Sequence, residues 1–155
     1  MTPRFVDLPP LLIAGMREPL RQQSLQTIPL LWQKFSLYIN RIPHQTNAVA
    51  YGLCVRSSES SNGRFYYMAG CEVSEFACLP PELSPLIVPA HRYAVFTHKY
   101  HVSAIRNTID YIFDQWLPVS GYTHCSASIH FFERYAEDFD SVKGIGGIEI
   151  WLPLN

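Results

Sequence analysis

Hydrophobic residues recur at helical spacing in two stretches of the chain. The first stripe comprises Ile28, Leu31, Trp32, Phe35, Ile39 and Ile42, and the second comprises Ile105, Ile109, Ile112, Phe113 and Trp116. Pro29 falls in a first turn, where its missing N–H does no harm, and Ser103 is a suitable cap for the second helix. Pro43 and Pro118 are predicted to end the two helices.

Short apolar or alternating stretches between these helices predict strands at 11–17, 49–56, 64–73, 86–97, 128–135 and 145–152. The order strand, helix, strand, strand therefore occurs twice, with corresponding elements about 80 residues apart. We expect an α+β fold in a single domain spanning 1–155, built from duplicated strand-helix-strand-strand units at about 8–75 and 86–155 and joined by the proline-dense stretch 78–85. Two such units would form one antiparallel sheet with the helices on one face and a ligand cleft on the other.

The last two predicted strands each place an acid between aromatic residues. Alternation puts Glu149 and Trp151 on the face opposite the aliphatic residues of their strand, and groups Phe131, Glu133 and Tyr135 on one face of theirs. Aromatic rings attract a cation through their faces and a partly desolvated carboxylate supplies the counter-charge, so this pattern favours a site for an apolar cation. The same alternation is equally expected on the wet face of a one-sided sheet.

Composition narrows the function. The chain carries three Trp, nine Tyr and nine Phe but only 16% charged residues, with a net charge of -1. Without a basic excess, direct nucleic-acid binding is disfavoured. No apolar run approaches the roughly 20 residues of a membrane span, no secretory signal pattern is visible, and the cysteines form no Cys-x-x-Cys pair. We therefore expect a cytoplasmic protein with no membrane contact.

Two other chemistries receive less support. His98 and His101 could supply two metal ligands, and the consecutive residues His124 and Cys125 could add a third. However, no Cys or carboxylate recurs at metal-site spacing. A hydrolase using Cys54 or Cys125 with a neighbouring histidine lacks a recognisable nucleophile motif. We predict no metal, no cofactor and no catalytic residue.

In several segments the chain resembles the GyrI-like small-molecule-binding domain, the effector-binding domain of many AraC-type and MerR-type bacterial regulators. The segments, in chain order, are 51–54, 65–73, 89–96, 116–118, 132–135 and 149–153. The most specific are Tyr-Met-Ala-Gly at 67–70 and Phe-Glu-Arg-Tyr at 132–135. The resemblance covers nearly the whole chain.

The resemblance implies a cleft between the two halves, on the face away from the helices, in which an acid meets lipophilic cations. The acid of the family falls on Glu133. The last strand of the family often carries Glu-x-Tyr, whereas this chain has Glu149-Ile150-Trp151, so the ring is kept and an indole N–H replaces the hydroxyl. Tyr51 and Tyr67, on the strands that mirror the closing pair, are candidates for the opposite wall.

The predicted ligand-binding residues are therefore Glu133, Glu149, Trp151, Phe131, Tyr135, Tyr51 and Tyr67. Because all 155 residues are used by this one domain, we expect a stand-alone protein that binds a lipophilic cationic or aromatic compound, linked to transcription regulation or drug and toxin response. A protein partner or a homodimer is compatible with this interpretation. The resemblance leaves two alternatives: a hydrolase of small strained-ring compounds with a cleft glutamate as general base, and a module that interacts with gyrase or another protein.

Overall fold

The computed structural model describes residues 1–21, 24–57, 64–125 and 127–155, with the backbone alone at 24 and 25. Within these residues one antiparallel sheet contains eight strands: β1 (Arg4–Leu8), β2 (Leu11–Pro19), β3 (Gln45–Arg56), β4 (Phe65–Val73), β5 (Ser84–Val88), β6 (His91–His98), β7 (Ile129–Tyr135) and β8 (Ile148–Leu154). The strand order is β1-β6-β8-β7-β3-β4-β2-β5. The expected α+β fold with an antiparallel sheet is confirmed.

Helix α1 (Ser24–Phe35) follows β2, and a second helical segment at 102–120 follows β6. That segment runs through a 3-10 turn (Val102–Ala104), α2 (Ile105–Tyr111), a π-helical turn (Ile112–Trp116) and α3 (Leu117–Ser120). Each of the strands β1–β4 has a counterpart four strands later, so that β1 corresponds to β5 and β4 to β8. Counterparts lie at equal distances from opposite edges of the sheet. The duplication that we propose for the sequence accounts for this symmetry.

Cross-strand register shows that both helices lie on one face of the sheet. Ala69 pairs with Gly52, Gly52 with Glu133, Glu133 with Ile150, and Ile150 with Phe96, so all five side-chain positions share that face. At one end of this row, Ala69 belongs to the apolar cluster under α1. At the other end, Phe96 belongs to the cluster under the second helical segment. We call this helix-bearing face the outer face and the other the inner face.

Two short connections force the sheet to curl. Only Pro9 and Pro10 join β1, at one edge, to β2, next to the other edge, and Pro89 with Ala90 joins β5 to β6 in the same way. In a flat sheet these partners would lie six strand spacings apart, about 29 Å. Three Cα–Cα steps reach at most about 11 Å. The sheet must therefore bend until its two ends approach each other.

The inner face is the inside of this curl. Its apolar residues are almost fully buried although both helices lie on the opposite face; they are Leu11, Ile13, Val49, Tyr51, Leu53, Val55, Met68, Val88, Tyr93, Val95, Ile129, Phe132 and Trp151. The sheet thus makes one core by curling on itself and two further apolar clusters by burying one face of each helical segment.

Several predicted strand boundaries were wrong. Strand β1 was not predicted, and the single strand expected at 86–97 is two strands, β5 and β6, interrupted at Pro89. Proline cannot donate to a sheet ladder, which is why β5, with Pro85 inside it, is tolerated at an edge. The proline-dense stretch at 78–85 therefore ends within the sheet.

The helix ends also differ from the prediction. Helix α1 stops at Phe35, and Ile42 reaches the same core from the turn that follows. Ser103 is not the cap: its backbone N–H donates to the ring of His101 at 3.0 Å. Pro118 does not end the second segment, because it lies at the start of α3, where a missing N–H costs nothing. That segment ends at Gly121, whose φ is 79°.

Candidate functional site

The seven predicted site residues are divided between two faces of the sheet. Glu133, Phe131, Tyr135 and Tyr67 lie on the outer face, whereas Glu149, Trp151 and Tyr51 lie on the inner face. The expectation that all seven line one cleft on the helix-free face is wrong. Alternation assigns faces within a strand, but the pairing of β7 with β8 sets Glu133 opposite Ile150 rather than opposite Glu149.

On the outer face, Glu133 is the centre of a hydrogen-bonded cluster. The residue is only 7% exposed. The hydroxyls of Tyr67 and Tyr135 both donate to Oε1, at 2.9 and 2.7 Å. The indole N–H of Trp32 donates to the Tyr67 hydroxyl at 3.0 Å, which orients that hydroxyl toward the carboxylate. We call these four residues the Glu133 cluster.

A glycine opposite the carboxylate makes room for the cluster. Gly52 pairs with Glu133 across β3 and β7. A Cβ at this position would collide with the Tyr67 hydroxyl and lie 2.7 Å from Glu133 Oε1. The absence of a side chain here is what lets the tyrosine from β4 reach across β3 to the acid on β7.

Burial determines the electrostatics of the cluster. It raises the pKa of Glu133 above its ordinary 4.5, and the hydrogen bonds from Tyr135 and Tyr67 act in the opposite direction. Among the described residues, no cationic side chain lies within salt-bridge distance of Glu133. The site is therefore a desolvated acid held by neutral donors, which is an unusual and costly arrangement for a purely structural residue.

The same burial bears on the cysteine alternative. Cys54, on the strand beside Glu133, has its pKa raised to about 12, mainly by burial and further by the nearby acid. A thiol in this state stays protonated at neutral pH, whereas the thiolate is the nucleophile. Cys54 therefore does not fit the cysteine hydrolase considered from the sequence.

Aromatic rings surround the acid from the helix side. The ring of Trp32 lies 5.6 Å from that of Tyr135 and 6.5 Å from that of Tyr67, both edge-on, and Phe139 lies 5.0 Å from Tyr135. Sequence reasoning assigned Trp32 to the helix core and did not single it out for the site. The helical spacing of Trp32 shows only that its side chain faces the sheet. Whether Trp32 belongs to the site depends on which sheet residues it contacts.

The inner face contains a separate cavity of about 400 Å³. We call it the inner-face cavity; it is lined by Arg4, Val6, Leu8, Leu11, Asn47, Tyr51, Glu72, Phe132, Arg134, Glu149 and Trp151. Glu149 Oε2 lies 2.7 Å from Arg4, while Oε1 lies 3.6 Å from Arg134 and accepts from the Trp151 indole N–H at 3.2 Å. Here the carboxylate has its own cations.

Sequence reasoning missed the arginines of this cavity. Arg4 lies on β1, which was not predicted, and Arg134 was not among the predicted site residues. Burial raises the pKa of the Tyr51 phenol, and the nearby guanidinium of Arg134 partly offsets this rise. The period-two pattern could have placed Arg134 beside Phe132 on one face, but only the register with β8 places it beside Glu149.

The histidines considered as metal ligands have other contacts. His98 makes hydrogen bonds with the Thr108 hydroxyl at 2.7 Å and the His101 carbonyl at 2.8 Å. Over the described ranges, no group of three or more His, Cys, Asp or Glu side chains is arranged to hold a metal ion. In the same ranges no helix has the length and apolarity needed to cross a membrane.

A curled antiparallel sheet with two helices on one face and a buried acid between rings defines a class of small-molecule-binding domains. The chain belongs to the family described as the GyrI-like small molecule binding domain, which matches residues 1–155. It is thus a member of a ligand-binding family, as the resemblance predicted.

A named relative and two solved structures are similar to this chain. The transcriptional regulator BrlR of Pseudomonas aeruginosa is 34% identical over 156 residues, an alignment that covers 99% of this chain and 56% of BrlR. The chain thus spans about half the length of this curated relative. SAV2435, solved bound to tetraphenylphosphonium, has a TM-score of 0.80 and 23% identity, covering 100% of this chain and 94% of that one.

The second structure is a bacterial transcription regulation protein from Staphylococcus aureus Mu50. It has a TM-score of 0.77 and 23% identity and covers 100% of this chain and 99% of its own. At these identities the two solved structures establish the shared fold.

Proposed function

We propose that this protein binds lipophilic cations at the Glu133 cluster. The observation that carries the proposal is a buried glutamate whose carboxylate accepts hydrogen bonds from two tyrosine hydroxyls and lacks a cationic partner among the described residues. A cation with an apolar body supplies the missing counter-charge, and its body covers aromatic surface that water would otherwise wet.

The expected free energies are large enough for useful affinity. An ionised carboxylate that is buried without a counter-ion carries a desolvation penalty; the two tyrosine hydrogen bonds offset much of this penalty at Glu133, and an arriving cation offsets more of it. Each cation–ring contact adds roughly 0.5–2 kcal/mol. The rings of Trp32, Tyr67 and Tyr135 can contribute such contacts, so micromolar binding requires no close shape fit.

Ligand entry requires a movement on the helix side. Glu133 is almost fully covered, and Trp32, which is only partly buried, lies over the two tyrosines that hold it. We expect the indole to swing away and release the Tyr67 hydroxyl. The structure of SAV2435 with tetraphenylphosphonium supports this class of ligand, because that compound is a lipophilic cation on the same fold.

Titration with tetraphenylphosphonium tests the proposal. Glu133→Gln keeps the size of the side chain and removes its charge, and it should weaken binding at least tenfold by calorimetry. Glu137→Gln removes an exposed acid four residues further along the chain and should change affinity less than twofold. Binding by Glu133→Gln equal to that of the unmodified protein, or loss of binding in Glu149→Gln alone, would contradict the assignment.

The pH dependence provides an independent measurement. Only the ionised form of Glu133 attracts a cation, so affinity should fall as the pH is lowered through its pKa, which lies above 4.5. Glu133→Gln should show no such fall. We further expect ligand binding to act on a partner protein, since BrlR, about half of which matches this chain, is a transcriptional regulator.

A hydrolase remains the second candidate, because a buried glutamate of raised pKa also suits a general base. This candidate requires turnover of a strained-ring or activated-ester substrate that Glu133→Gln abolishes. Tetraphenylphosphonium would then act as a competitive inhibitor of that turnover.

A further inference from the structure

The inner-face cavity carries more positive than negative charge at one corner. Arg4 and Arg134 share the single carboxylate of Glu149, at 2.7 and 3.6 Å. Each guanidinium offers five N–H donors; the contact of Arg134 with Glu149 is longer than a hydrogen bond, and the Tyr51 phenol occupies only part of the Arg134 donors. The side chains of Arg4 and Arg134 are 53% and 32% exposed, whereas that of Glu149 is 15% exposed. Donors therefore remain accessible beside the cavity.

The rest of this corner is apolar and aromatic. Trp151 and Phe132 stack with ring centroids 5.4 Å apart and an interplanar angle of 15°, and the guanidinium of Arg4 lies 5.9 Å from the centre of the Trp151 ring. The Trp151 ring, backed by the fully buried Phe132, thus forms an apolar wall next to the guanidinium groups. A ligand with an apolar body and one charged end could occupy both features at once.

The other acid in the cavity does not neutralise this corner. Glu72 lies on β4, two strands away from Arg134 on β7, or roughly 10 Å at ordinary strand spacing. Its Oε1 already accepts from the Thr46 hydroxyl at 2.9 Å and the Asn47 amide at 3.1 Å. Oε1 of Glu72 is thus engaged within its own wall, away from the two arginines.

We propose that the inner-face cavity is a second ligand site, which binds a small organic acid. The anionic group of the acid pairs with Arg4 and Arg134, and its apolar body lies against Trp151. When the organic acid binds, it replaces part of the contact between Glu149 and the two guanidinium groups. This site is on the opposite face from the Glu133 cluster and selects the opposite charge, so it does not depend on cation binding there.

A lipophilic cation is the wrong ligand for this cavity. It would approach two guanidinium groups, and the only acid in that corner is already paired with them. Guanidinium groups instead form charge-assisted hydrogen bonds with carboxylates, which are stronger than neutral ones. Charge therefore distinguishes the two sites more sharply than size.

Three naphthalene compounds that differ mainly in charge test the proposal by calorimetry at neutral pH. We expect 1-naphthaleneacetate to bind, and both 1-naphthaleneacetamide and 1-naphthylmethylammonium to bind at least tenfold more weakly. Arg134→Gln and, separately, Arg4→Gln should weaken 1-naphthaleneacetate at least tenfold. Arg106→Gln changes an exposed arginine that pairs with Asp110 in the second helical segment, and should leave the affinity within twofold.

Glu149→Gln adds a test that a merely structural role would not pass. Removing the competing carboxylate should strengthen 1-naphthaleneacetate binding severalfold. The proposal is overturned if none of the three compounds binds at millimolar concentration, if the ammonium compound binds tightest, or if both arginine variants bind the acid as the unmodified protein does. Arg4 is on an edge strand, so its variant keeps the test available should Arg134→Gln fail to fold.

Discussion

Glu133 and Glu149 lie on neighbouring strands and sequence reasoning gave them one role, yet their surroundings differ in kind. Glu133 is held by hydroxyl donors and lacks a cation among the described residues, whereas Glu149 has two arginines and an indole N–H. Both are substantially buried, so burial alone does not distinguish them. The charge of the groups around each acid decides which ligand its site can accept.

The largest expected effect compares two adjacent phenylalanines that point to opposite faces. Phe132 is fully buried on the inner face, stacked on Trp151 and edge-on to Tyr51 and Tyr93. Phe131 is only partly buried under the second helical segment. Phe132→Ala should lower the free energy of unfolding by about 3–5 kcal/mol. Phe131→Ala should cost less than half of that.

Urea unfolding at matched conditions measures both values. Equal losses would mean that the inner face is not the tighter core, and would argue against the curled sheet as the source of its burial. Loss of tetraphenylphosphonium binding in Phe131→Ala at unchanged stability would place that ring in the cation site.

The next effect tests the space that Gly52 leaves for the Glu133 cluster. Gly52→Ala should destabilise the protein by about 1–3 kcal/mol, as overpacking does, because its Cβ collides with the Tyr67 hydroxyl. It should also weaken tetraphenylphosphonium binding. Thermal unfolding and calorimetry measure the two effects, while 1-naphthaleneacetate binding on the inner face should persist.

A double substitution identifies the cause. Tyr67→Phe removes the hydroxyl that the new Cβ meets, so Gly52→Ala should cost clearly less in that background than in the unmodified protein. Strictly additive costs would show that the glycine matters for a reason other than this contact.

Part of the site followed from the sequence because strand alternation is local. The prediction that Glu149 and Trp151 face away from Ile150 is confirmed, since side-chain direction within a strand depends only on position. What could not be predicted is the relation between strands. The pairing that puts Glu133 opposite Ile150 depends on strand register and on the course of the chain between 136 and 147.

The curl of the sheet was equally beyond the pattern. It depends on Pro9 and Pro10, two residues whose meaning becomes clear only when β1 and β2 are known to lie near opposite edges. Strand β1 is short, and its alternation carries Arg4 and Asp7 among apolar residues, so it gave too little signal to be identified. Because β1 was not predicted, no sequence pattern indicated that Arg4 pairs with Glu149. Glu149 was therefore predicted to bind a cationic ligand.

The smallest expected effect concerns the pH dependence of stability. Because burial raises the pKa of Glu133 above 4.5, the unfolded chain ionises first as the pH rises, and the folded state loses stability through the interval between the two pKa values. Below that interval both states carry the proton and the penalty vanishes. Glu133→Gln should therefore be more stable than the unmodified protein at pH 7 and differ little from it near pH 4.

Glu149→Gln should change stability in the opposite direction at pH 7. It leaves Arg4 and Arg134 without the carboxylate they share, so the protein should be slightly less stable, by no more than about 1 kcal/mol because both arginine side chains are partly exposed to solvent. Urea unfolding of both variants at pH 4 and pH 7 separates the two acids. If Glu133→Gln destabilised the protein at pH 7, the hydrogen bonds from Tyr67 and Tyr135 would stabilise the ionised carboxylate by more than burial destabilises it. Glu133 would then be a structural residue and not a binding site for a cation.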